Sequence, residues 1–266
     1  MKNPHMTPSI RKLCIIALAV LCSATALAQT ATPRKDRVYL RDVEGIWINE
    51  PYMKALTQLR SPHAAAKKTA PVVIAMKREG RAFPIVVTDF NKASIQSVLD
   101  VEPDGKPGSY RLVVAPDDKP VSSSEVKYIP FQGTRNAQGR FDKLRVAEPN
   151  FMKGKWSDYL PMPGELSPSL NRIVIAGTYK DEKGRAWEFT DAGEARWPDQ
   201  KFSYELSLND PTAGCEYLHT EDIRDGEEKK RFGYAWKAGK LSIFPARLAG
   251  KKVVCEPRPL AVLTPP

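Results

Sequence analysis

The chain is poor in the side chains from which most enzyme centres are built. Histidine occurs three times in 266 residues, and only His63 and His219 lie beyond the first 28. Neither a His-Glu-x-x-His zinc motif nor a Gly-x-Ser-x-Gly nucleophile turn is present. Those two hydrolase classes are therefore excluded by motif, and both histidines read as structural or solvent-facing. Cysteine is also scarce, at four residues. No apolar run reaches the roughly 20 residues that a membrane-spanning helix needs. The aromatic and basic stripe expected of a nucleic-acid binder is missing too. On this reading the protein is not an enzyme, carries no cofactor or metal, and does not bind nucleic acid.

The longest apolar run has a different meaning. Lys2, Arg11 and Lys12 precede an apolar stretch from Leu13 to Cys22, and Ala26-Leu27-Ala28 then places small residues where a signal peptidase cuts. Residues 1–28 are therefore expected to be a signal peptide cleaved after Ala28. The mature chain is then periplasmic or secreted, with no membrane anchor. Leu21 before Cys22 does not suit a lipoprotein signal. Cleavage removes Cys14 and Cys22, and in an oxidising compartment the remaining Cys215 and Cys255 are expected to pair. It also removes three basic residues and no acid from a chain of net charge +10. The remaining excess sits in residues 29–171, with 22 Lys and Arg against 16 Asp and Glu; residues 172–266 carry 16 against 15. Such a first half favours an anionic envelope component or an acidic envelope protein, or else simply keeps an exported domain soluble.

Beyond a flexible segment 29–42, the pattern is two-fold nearly everywhere. Val43–Ile48 reads as a first strand, and Pro51–Leu59 and Ala64–Lys68 read as a helical insertion spanning 51–68. Val72–Met76 and Phe83–Thr88 flank Glu79-Gly80 as a hairpin would. Ser94–Val101, Tyr110–Ala115, Val126–Phe131 and Phe141–Val146 continue the series to residue 147. Residues 148–171 hold Pro149, Pro161, Pro163 and Pro168 and read as a linker or wrapping segment rather than a central strand or helix. Residues 172–266 then form a second β domain. There Phe202, Tyr204, Leu206 and Leu208 alternate with Lys201, Ser203, Glu205 and Ser207. The predicted class is mainly β and antiparallel, with two small barrel or sandwich domains and little helix.

An internal echo supports two related halves. Val43-Glu44-Gly45-Ile46-Trp47 and Ile175-Ala176-Gly177-Thr178-Tyr179 both place Gly two residues before a large aromatic. That spacing suits a strand bending across a barrel floor, with the ring plugging the bottom. Gly-x-Trp on a first strand resembles the opening of lipocalins. Residues 173–245, with Gly177-Thr178-Tyr179, Glu188-Phe189-Thr190 and Gly193, resemble the small lipocalin-like domains of exported bacterial proteins. The resemblance implies up-and-down barrels whose apolar interior can hold a small ligand. The later Thr-Asp-x-x-Tyr signature is absent, Thr88-Asp89-Phe90 being a partial likeness only.

Other candidates carry less. Glu188 and Asp199 could form a glycosidase-type carboxylate pair, the basis of a third reading as a cell-wall or ester hydrolase. Glu221–Glu228 lacks the alternating ligands of a calcium loop and reads as a hairpin tip. Trp187 and Trp236 read as core, and Trp197, beside Pro198, as exposed. With Lys54, Arg60, Lys67 and Lys68 of the helical insertion, Trp197 makes the candidate binding surface. The insertion either lids a barrel mouth, presents those cations to a partner, or caps an open barrel end. The functional expectation is a non-catalytic envelope protein that engages a macromolecular partner as an inhibitor or immunity-type protein. The alternative is a carrier of an apolar small molecule.

Overall fold

The structure, a computed structural model, describes residues 38–69, 73–80, 82–90, 93–116, 126–147, 156–208, 210, 213–221 and 229–266. The expected leader, Phe151 and most of the 221–228 acidic run lie outside them. A helical turn, α1 (Leu40–Val43), leads into β1 (Gly45–Asn49), then α2 (Glu50–Leu59) and α3 (Pro62–Lys68). A meander follows through β2 (Val73–Met76), β3 (Pro84–Thr88), β4 (Ala93–Pro103), β5 (Ser109–Pro116), β6 (Lys127–Arg135), β7 (Phe141–Ala147) and β8 (Trp156–Met162). All pairings are antiparallel, and β8 pairs with both β7 and β1, closing an eight-stranded barrel.

The barrel contains two corrections to the sequence reading. Within the segment 29–42 expected to be flexible, Val38 is buried in the barrel core and Leu40 begins the helical turn α1. The supposed linker 148–171 supplies β8 and, after it, α4 (Leu166–Val174). Proline is tolerated in β8 because the two ladders are staggered: β7 pairs with Trp156–Tyr159, β1 with Tyr159–Met162. Pro161 lies past the last β7 pair, so its missing N–H costs no bond on that side.

The second body is a nine-stranded antiparallel sheet. It comprises β9 (Gly177–Lys180), β10 (Ala186–Phe189), β11 (Glu194–Trp197), β12 (Gln200–Leu206), β13 (Glu216–Thr220), β14 (Arg231–Lys237), β15 (Lys240–Ala249), β16 (Lys252–Cys255) and β17 (Ala261–Leu263). The long β15 pairs with β14 on one edge and on the other serves two partners, β17 along Leu241–Ile243 and β16 along Ala246–Ala249. Just after β17, Thr264 exchanges two backbone hydrogen bonds with Lys180 of β9. The last strand is thereby tied to the first. Cys215 and Cys255 form the expected disulfide across 40 residues. Gly233 makes room for it: a Cβ there would stand 2.0 Å from Cys255 Sγ.

The cores explain how the halves hold together. Barrel residues such as Trp47, Ile85, Leu112 and Phe131 fill the first. The second is not self-sufficient. Its sheet residues Tyr179, Phe189, Leu218 and Tyr234 pack with Tyr52, Leu56 and Ala65 of the helices, and with Ile48, Val73 and Met162 from the barrel. The helices are well set for this. Asn49 caps α2 by accepting from the Tyr52 N–H, Pro51 sits in its first turn, and Arg60 ends it in the left-handed conformation. Tyr52, Ala55 and Leu56, at helical spacing, form the buried face. Of the alternatives for the insertion, the helices fill a core rather than offer a free lid.

Replacing Leu56 with Ala should destabilise the protein by about 2–5 kcal/mol, the usual range for a buried Leu truncation. Because the core is shared, barrel and sheet signals should move together in one denaturation transition. Two separate transitions, with only one shifted, would contradict the shared core. Replacing Cys215 and Cys255 by Ser should cost about 4 kcal/mol on the chain-entropy account, read as a lower denaturation midpoint under oxidising conditions only.

Candidate functional site

The barrel interior offers almost no room for a ligand. Its cavity measures only about 10 Å³, with wholly apolar walls that include Val43, Ile74, Ile85 and Leu144. That is about the space of one water probe, too little for any lipid-sized ligand. Tyr110, Phe131 and Phe141 pack ring to ring inside it, with centroids 5.3–5.9 Å apart.

The two Gly-x-aromatic units share one local geometry. Trp47 Nε1 donates to the Val43 carbonyl four residues back, at 2.9 Å. Tyr179 Oη donates to the Ile175 carbonyl four residues back, at 2.7 Å. Gly45 and Gly177 both have positive φ, and a Cβ on Gly177 would sit 3.0 Å from the Tyr179 hydroxyl. In each half the strand begins on a glycine so that the following aromatic can fold back and close the preceding helix end. Both rings are buried, Trp47 in the barrel core and Tyr179 in the shared core.

The candidate surface residues do not assemble. Trp197 is buried, which corrects the sequence reading: its ring lies 4.6 Å from those of both Trp187 and Phe232. Its place beside a turn misled, because Trp197 is the last residue of β11 and points inward like Ala195. Arg60 lies 4.4 Å over the Trp236 ring, and Lys54 pairs with Glu50 at 2.7 Å. Lys67 and Lys68 are exposed in the last turn of α3. Glu188 and Asp199 meet different arginines, Arg196 at 3.2 Å and Arg185 at 3.6 Å. Nothing in this arrangement sets them up as an acid and base.

Glu216 forms the most elaborate polar contact between the halves. One carboxylate oxygen accepts from the backbone N–H of His63 at 2.9 Å, from that of Ala64 at 3.3 Å, and from the Ser61 hydroxyl. A carboxylate of β13 thus caps the N-terminus of α3, where the helix dipole favours negative charge. Burial, with Glu216 nearby, pushes the ionisation of Tyr52 and Tyr234 upward, so both phenols stay neutral.

A larger space than the barrel cavity lies on the second body. A groove of about 280 Å³ runs between α4, the β10–β11 turn and β12. Leu170 and Leu206 line its buried side, and Ser167, Glu205 and Glu221 its exposed side. Glu205 and His219 are direct cross-strand partners, with Nε2 and Oε2 3.1 Å apart. With Glu221, two residues further along, they place three ligating atoms within 4.8 Å of one another. These are the described side chains that could together hold a divalent ion. Arg231, opposite His219 on β14, and Lys229, whose charge acts on it, oppose a second positive charge there. The only trace of this cluster in the sequence was His219-x-Glu221, a same-face spacing on a strand. The approach of Glu205 needed the β12–β13 register.

No protein family, no curated protein and no solved structure matches the chain.

Burial lowers the pKa of His219 below its usual 6.5, and the Glu205 carboxylate opposes this. The unfolded chain therefore binds the His219 proton more readily. Its contribution to stability is full above the unfolded pKa and is lost as pH falls through that value towards the folded one. An NMR titration of His219 should give a midpoint below 6.5. In Glu205→Gln the midpoint should fall further, since the favourable charge is removed. A rise would contradict the assignment.

Proposed function

We propose that this is an exported, non-catalytic binding protein of the cell envelope that engages a macromolecular partner through its outer surface, as an inhibitor or immunity-type protein does. The observation that carries this reading is the filled interior. A carrier built like a lipocalin needs a cavity inside its barrel, and here that space is about 10 Å³. The second body has its interior occupied by Tyr52, Leu56 and Ala65. The lipocalin-like resemblance thus supports the architecture and, with both interiors filled, argues against small-molecule transport. Fold does not fix function, so the use of the outer surface is argued from the lack of room inside. Export rests on the basic start, the apolar run and Ala26-Leu27-Ala28. The excess of basic residues in the first half supports an acidic partner.

Two measurements test the reading. A fluorescent fatty acid titrated into the protein should show no saturable binding; tight, saturable binding weakened by Ile85→Trp would restore the carrier. A photo-crosslinking residue placed at Lys67 or Lys68 in cells of the source organism should give one discrete adduct in the envelope fraction. Export itself is checked by the N-terminus of the mature protein, expected at Gln29.

A further inference from the structure

We propose that the core shared by the two halves contains a binding site for ordered water, formed by Tyr52 Oη, Tyr234 Oη and Glu216 Oε2. The site lies where α2 meets the sheet and does not rest on the envelope-partner reading. Each of the three atoms is closed to solvent and meets no hydrogen-bonding partner among the described residues. Tyr52 is 0% and Tyr234 2% exposed, and the Glu216 side chain 11%. A buried polar atom left unpaired is costly, and in folded proteins such atoms are nearly always paired with protein or with water.

The three groups come from two sides of one core. Glu216 and Tyr234 are direct cross-strand partners on β13 and β14, so their side chains share a face of the sheet. Tyr52 lies on the buried face of α2, which packs against that sheet. Burial first, and then the charge of Glu216, pushes the ionisation of both phenols upward, and Tyr52 adds to the effect on Tyr234. The groups thus lie near enough to act on one another. Glu216 is held in place by its other oxygen, which accepts from the Ser61 hydroxyl and from the N–H groups of His63 and Ala64. His63 Nδ1 stands 3.6 Å from Oε2, beyond a normal hydrogen bond. Burial alone does not strand a phenol here. Tyr179 and Tyr204 belong to the same core and donate to the Ile175 and Thr190 carbonyls, each at 2.7 Å.

The donors and acceptors select water. Two neutral phenols each bring an O–H that needs an acceptor, and Oε2 is an acceptor that needs a donor. Water supplies both functions in the smallest volume. It accepts from the phenols and donates to the carboxylate, making the roughly three bonds usual for a buried water. An anion would meet the charge of Glu216, and an apolar molecule would leave all three atoms unpaired. The water therefore joins the halves, bonding to α2 of the first and to β13 and β14 of the second.

The test uses the full mature protein. Buried phenolic protons exchange slowly enough to follow by NMR, and those of Tyr52 and Tyr234 should give cross-peaks to a long-lived water. Tyr179 and Tyr204, bonded to carbonyls, serve as internal controls and should give none. A high-resolution crystal structure should show ordered water within about 2.7–3.2 Å of the three oxygens. Tyr52→Phe and Tyr234→Phe should each lower the denaturation midpoint, and the double variant should lower it by less than the sum, because the phenols share one bridge. A direct bond from Tyr234 Oη to Glu216 Oε2, with no water between, overturns the proposal. So do additive variants, or water cross-peaks that are missing from Tyr52 and Tyr234 or equally strong from Tyr179 and Tyr204. If the variants fail to fold, the crystal structure and the wild-type spectra still decide.

Discussion

The shared core is the constraint on which the rest of the molecule depends. Tyr52, Leu56 and Ala65 belong by sequence to the first half and by packing to the second. A sheet that curls as this one does leaves an interior that its own strands do not fill. Two short helices from the neighbouring barrel occupy it. The barrel's outer face contributes as well, through Ile48, Val73 and Met162, which point away from the barrel core. At the polar edge of this contact Glu216 caps α3, one residue from the disulfide at Cys215. Apolar burial, a helix cap and a covalent bond thus converge on one junction.

What the sequence revealed and what it hid follow from the range of each signal. Strand alternation is local, so Phe202, Tyr204 and Leu206 declared their common face without help. Helix signals are local as well. At the start of α3, Ser61 is the cap and Pro62 the first helical residue, both features of adjacent residues. The two Gly-x-aromatic units share one local geometry, each ring donating a hydrogen bond to a carbonyl four residues back. The failures are all non-local. Proline in β8 looked prohibitive until the stagger of its two ladders was known. Trp197 looked exposed because the turn beside it is visible in sequence, whereas the aromatic cluster that buries it comes from β10, β12 and β14. Glu205 on β12 and Glu221, one residue past β13, become neighbours only through the β12–β13 register.

Interior and exterior contrast sharply in this molecule. A barrel whose interior is packed with Phe131, Phe141 and Tyr110 is a rigid scaffold. A groove of about 280 Å³ is cut instead between secondary elements on the flank of the second body. Arg60 shows the same economy of cations. It ends α2 and lies over Trp236, so a residue that charge alone would assign to a partner is spent on holding the helix to the sheet.

The tie between Lys180 and Thr264 has a consequence for how the molecule comes into being. The barrel strands all precede residue 163, so the barrel can close while the rest of the chain is still being delivered. The apolar face of α2 cannot be covered at that stage, because its cover is not yet present. It stays sticky until β9 to β15 arrive, and the sheet is fastened only when β17, the last strand, slides in beside β15. Delivery from the N-terminus thus creates an interval of exposed hydrophobic surface. In that interval the half-finished molecule depends on speed, or on an escort, to avoid aggregation.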